Sequence, residues 1–174
     1  MRELLSKKAS RANSFKVVEL VGENYENYKD LIGLIIENVS PITEKAAWAM
    51  NHCFEDGGGF FEDYFSEMAQ VLADDKYSDS VKRNIVRVFQ FIDIPEQFQA
   101  SIIDSCFALV TNKKTAIAVK AFSLGVLEKM AKIYPELKNE LVAVIEDLLP
   151  KASSGLKNRG QHILRRIKNK SSSK

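Results

Sequence analysis

Several things that would mark an enzyme, a secreted domain or a membrane protein are scarce in this chain. Among 174 residues there are only 2 Cys and 2 His. Cys53 and Cys106 lie far apart in apolar surroundings, and neither has a second Cys or a His at metal-ligand spacing. Buried free thiols are the expected reading, with a disulfide as the alternative. His162 stands among basic residues and is expected at the surface. His52, between Asn51 and Cys53, reads as a hydrogen-bonded histidine at a helix end, with a place in a pocket as the alternative. No carboxylate stands at ligand spacing to either histidine, so no metal site is expected. There is no Gly-x-Ser-x-Gly, no Cys paired with a positioned His and no dinucleotide fingerprint. The triplet Gly57-Gly58-Gly59 has no preceding strand and no following Lys-Ser or Lys-Thr, so it reads as a connector and not a phosphate cradle. Acid pairs such as Glu62-Asp63 and Glu146-Asp147 are adjacent and diverge on a helix. A catalytic set, a cofactor and a small-molecule substrate are therefore not expected. The longest apolar stretch, 31–36, is too short to span a membrane, and the first residues lack the apolar run of a signal peptide. The expected location is the cytoplasm.

Breakers are also few. With 8 Gly and 4 Pro, the chain favours long helices over many short strands. Its hydrophobic content of 45% and its length suffice for the core of one domain, with a disordered tail at 171–174. Punctuation divides it into nine helical segments: 8–21, 23–39, 41–54, 57–73, 80–92, 94–110, 115–134, 135–149 and 153–170. Pro41, Pro95 and Pro135 each suit a first helical position, where a missing N–H costs nothing. Polar connectors at 74–79 and 111–114 have turn composition, and Pro150 closes the eighth segment. Between breaks the apolar period is helical: Val81, Ile85, Val88, Phe89 and Ile92 share a stripe, as do Val119, Val126, Leu127 and Met130. Further stripes are Leu137, Leu141, Val144, Ile145 and Leu148, then Leu156, Ile163, Leu164 and Ile167. Trp48, the only tryptophan, reads as core, with base stacking or a peptide anchor as the alternative.

The net charge of +2 conceals a sorting. The odd-numbered segments carry +2, 0, +3, +2 and +6, and the even-numbered ones −3, −3, −2 and −3. In stacked helical hairpins alternate helices line opposite faces, so one face is expected to be basic and the other acidic. Clustered Lys and Arg focus positive potential on an anionic partner; the alternative is a solvated face with no partner. The C-terminal run 151–174 has eight basic residues and no acid. It suits either contact with phosphates or a polar cap that keeps a stack of repeats soluble.

The odd segments also repeat. An apolar-Lys pair recurs as Val81-Lys82, Val119-Lys120 and Leu156-Lys157, at spacings of 38 and 37, each followed by apolar residues at +6, +7 and +10. Weaker matches start at Lys45 and Lys8. A two-helix period of this length marks an α-solenoid. These segments resemble the second helix of a HEAT repeat, which opens with Val-Arg, and the connector 74–80 resembles the acidic turn before it. The connectors before Lys120 and Lys157 lack the expected aspartates, which argues against a full ladder between repeats. The resemblance implies an all-α, right-handed α-α superhelix of four to five HEAT-like hairpins. It further implies a concave face holding Lys82, Arg83, Arg87, Lys129, Lys132, Arg159, Arg165 and Arg166. Glu62, Asp63, Glu67, Asp104, Glu140, Glu146 and Asp147 are expected on the opposite face. The expected function is a non-enzymatic scaffold that binds an acidic protein segment or a nucleic-acid backbone. A DNA-binding protein similar to the HEAT-like alkylpurine DNA glycosylases is the alternative, although no aromatic-plus-aspartate catalytic set matches.

Overall fold

The computed structural model describes residues 1–7, 10–57 and 60–171. Gly58, Gly59 and the expected tail from 172 onward lie outside them. The described residues form ten α-helices and two 3₁₀ turns, with no strand among them. All nine segments appear as helices, preceded by one that the sequence did not signal, α1 (Arg2–Ser6). Then come α2 (Arg11–Val21), α3 (Tyr25–Ile36), α4 (Ile42–Glu55), α5 (Phe65–Ala73), α6 (Asp79–Phe89), α7 (Glu96–Thr111), α8 (Ile117–Ile133), α9 (Leu137–Leu148) and α10 (Ser154–Ser171). The 3₁₀ turns are Phe61–Tyr64 and Leu149–Lys151, the latter built around Pro150. The chain divides into two compact units, Met1–Ile92 and Asp93–Lys174.

Local chemistry sets the helix ends. The Ser10 side chain accepts a hydrogen bond from the Asn13 N–H at 3.1 Å, and Asn24 does the same for Asn27 at 3.0 Å, so α2 and α3 start on side-chain caps. Pro41 and Pro95 stand immediately before α4 and α7, and Pro135 two residues before α9, one or two positions outside the first helical residue that their chemistry suggests. Gly57 follows α4 with φ +77°, the left-handed conformation that glycine adopts at a helix C-terminus without steric cost. Asp74 and Asn112 close the same turn in the two long connectors. Each carboxyl or amide oxygen accepts from the N–H two residues on, Lys76 and Lys114, at 2.9 Å. Asn112 thus does in its connector what Asp74 does in the other, which an expectation framed on aspartates alone missed.

In the first unit α2, α4 and α6 lie side by side, α4 packing against both neighbours, with α3 on α4 and α5 on α6. In the second unit α7, α9 and α10 all pack on α8, and α9 packs on α10. Helices flanked on both sides need wide apolar stripes. Accordingly Val81, Ile85, Val88 and Phe89 of α6, and Val119, Val126, Leu127 and Met130 of α8, are fully buried. Phe89, Leu127 and Leu164, the +7 positions of the three clear repeats, are all core residues. The core of the first unit has a cluster of phenyl rings, Phe89 stacking on Phe65 with centroids 5.6 Å apart and meeting Phe61 edge-on. Gly160 lets α10 approach α9 closely: a Cβ there would stand 3.0 Å from Ile145 and 3.2 Å from Leu149.

Candidate functional site

Both cysteines are buried free thiols. Burial pushes the Cys53 thiol up to about 11 and the Cys106 thiol up to about 12, so neither is poised as a nucleophile. His52 Nδ1 lies 3.1 Å from Glu55 in the last turn of α4, and its ring sits against Phe15 and Trp48. Trp48 is half-buried. No group of three or more His, Cys, Asp or Glu among the described residues is arranged to hold a metal ion. No described helix is long and apolar enough to cross a membrane.

The expected basic residues fall into both units. Lys82, Arg83 and Arg87 lie on α6; Lys129 and Lys132 lie on α8; Arg159, Arg165 and Arg166 lie on α10. Their environments differ sharply. Lys82 is only 4% exposed and reaches Asp75, in the connector in front of its helix, at 3.6 Å. Lys120, at the same place in its repeat, is also buried, whereas Lys157 at the third apolar-Lys position is exposed. Arg83 and Arg159 are half-buried. Arg87 pairs with Glu55 of α4, and Arg166 with Glu128 of α8, in each case bridging two neighbouring second helices of hairpins. The Arg166 contact is bidentate, with Nη2 donating to Glu128 Oε2 at 2.8 Å. Hydrogen bonding to that carboxylate, more than its charge, raises the pKa of the guanidinium above its ordinary value. Lys129 lies 3.4 Å from the exposed Asp93. Lys132 and Arg165 are exposed, with no carboxylate partner among the described residues.

The sequence hid these pairings because their acids sit on α4 and α8, in the same alternate series of helices as the arginines. Glu55 precedes Arg87 by 32 residues and Glu128 precedes Arg166 by 38, about one repeat each. That spacing is the signal that betrays them. Of the acids expected opposite the basic residues, Glu62, Asp63, Asp104, Glu140, Glu146 and Asp147 are exposed and Glu67 is half-buried. Lys168 of α10 reaches Glu146 of α9 at 3.6 Å.

One further cation joins the second unit's surface from an acidic helix. Lys138, in the first turn of α9, lines a cleft of about 120 Å³ together with Glu128, Ala131, Lys132, Arg166 and Ile167. Repeated hairpins, a recurring apolar-Lys position and a recurring Asx turn all belong to one architecture. Comparison with known families decides it: the HEAT repeat domain matches residues 1–167. The chain belongs to the HEAT repeat domain family. Searches of curated proteins and of solved structures found no match. A HEAT repeat domain suggests a scaffold for protein interaction.

Proposed function

We propose that this HEAT repeat protein is a non-enzymatic interaction module whose second helices hold an acidic segment of a partner protein. One observation carries the reading. After the internal pairs are accounted for, the second unit keeps Lys132, Lys138, Lys157 and Arg165 without a carboxylate partner among the described residues. These cations come from three successive helices, and α10 itself contains no acid. Lys132 and Lys138 line one cleft, and cations without a carboxylate partner set up a positive potential that attracts and orients an anion. In the first unit Lys82 and Arg87 are engaged by Asp75 and Glu55, which leaves that surface less to offer. A protein segment suits the site better than a nucleic-acid backbone. The lining of the cleft offers no aromatic platform on which bases could stack.

The test is a titration of the protein with a labelled peptide of Asp and Glu, and separately with random duplex DNA, across a range of salt. The peptide is expected to bind, and the charge-reversed variant K132E/K157E/R165E to lose it with its circular dichroism unchanged. Absence of peptide binding at low salt refutes the proposal. So does tighter binding of duplex DNA with a steep salt slope, which would mark the surface as a phosphate reader.

A further inference from the structure

Resting on that reading, the geometry points to a specific anchor: the cleft between α8, α9 and α10 takes one aliphatic side chain of the partner while Lys132 and Lys138 hold the carboxylates on either side of it. The cleft lies where the last turns of α8 meet the first turn of α9 and the C-terminal half of α10. Its volume of about 120 Å³ is well under the ~300–1,000 Å³ typical of small-molecule sites. That is room for a side chain and not for a metabolite. Ala131 and half-buried Ile167 supply apolar contact. Lys132 and Lys138 supply the charge, and neither has a carboxylate partner among the described residues.

Arg166 and Glu128 form the remaining wall. Glu128 takes the Nε side of the guanidinium, so Arg166 stays fixed while half of its side chain remains exposed. A guanidinium has five N–H groups, and the bidentate contact uses two, leaving its outer edge free to receive a carboxylate. The recognised chemistry is therefore an acidic segment carrying one leucine-like residue between acids. A uniformly charged chain satisfies the lysines and leaves the apolar contact empty.

The probes are two fluorescein-labelled peptides of Asp and Glu, one with a central Leu and one with Ser in its place, and unlabelled duplex DNA as competitor. Binding is followed by anisotropy at low salt. The Leu peptide is expected to bind about tenfold more tightly than the Ser peptide, as burial of one aliphatic side chain implies. The variant K132E/K138E should weaken both by about tenfold or more. Ile167→Gln should erase the difference between the peptides while leaving salt-dependent binding of both. Equal affinity of the two peptides, or indifference to K132E/K138E, overturns the anchor and leaves the broader acidic-segment reading standing. If neither peptide binds the unmodified protein, that broader reading falls and the anchor with it. If duplex DNA displaces the Leu peptide with the same dependence on Lys132 and Lys138, the occupant is a phosphate backbone and the anchor is overturned.

Discussion

Phe89 and Phe91 are two residues apart at the end of α6, and the same truncation should affect them very differently. Phe89 is fully buried between Phe65, on which it stacks, and the edge-on ring of Phe61. Phe91 is 71% exposed. Truncating a buried phenylalanine to alanine costs about 3–5 kcal/mol, the sum of lost transfer energy and the cavity left behind. Part of this is the loss of two aromatic pairs, worth ~0.5–1.5 kcal/mol each. Removing an exposed ring falls within about 0.5 kcal/mol of zero. Trp48, the only tryptophan, lies in the same unit, Met1–Ile92, so its fluorescence reports on the loss of structure there. For a slope near ~1.5 kcal/mol/M, Phe89→Ala should lower the urea midpoint by roughly 2–3 M, or abolish the folded baseline. Phe89→Leu keeps most of the volume and should lose roughly half as much. Phe91→Ala should leave the midpoint in place. A loss below ~1 kcal/mol for Phe89→Ala would mean that the ring cluster is not the core of this unit. A comparable loss for Phe91→Ala would mean that its ring is covered in solution.

Leu127→Ala in α8 should cost about 2–5 kcal/mol by chemical denaturation, since the side chain is buried where α8 is packed on by α7, α9 and α10. Gly57→Ala should destabilise by ~1 kcal/mol because its φ is +77°. Gly33→Ala within α3 should stabilise by up to ~1 kcal/mol, as a Cβ there meets nothing within 4 Å; thermal melts of the two variants should move in opposite directions. A double-mutant cycle on Arg166 and Glu128 should give a coupling below ~1 kcal/mol that shrinks with added salt, because half of the arginine side chain is exposed. Cys53 and Cys106 should resist a thiol reagent in the native protein at pH 8 and both react after unfolding. Their raised pKa values favour the folded state in full below the ordinary thiol value of about 9. That contribution is lost as pH rises from there through about 11 for Cys53 and about 12 for Cys106, so denaturation midpoints should fall across that window.

Helices, breaks and repeat register were legible in the sequence because each depends on local or periodic chemistry. The stripe from Val81 to Ile92, its copies at +6, +7 and +10, and the Gly57 stop need only the 3.6-residue period and the conformational freedom of glycine. The helix α1 escaped notice, since five residues carry too little periodicity to stand out. The fate of the cations was a tertiary matter. Lys82 and Lys132 look alike in sequence, yet one is buried against a connector carrying Asp75 and the other faces solvent beside Lys138. Arg87 and Arg166 read as free binding groups until the fold brings Glu55 and Glu128 beside them from the preceding repeat. Charge sorted by helix is a property of composition and periodicity, so the sequence by itself determined it. Which charges remain available to a partner depends on distances of a few ångströms between residues some 30–40 apart, and only the packing of one hairpin on the next decided that.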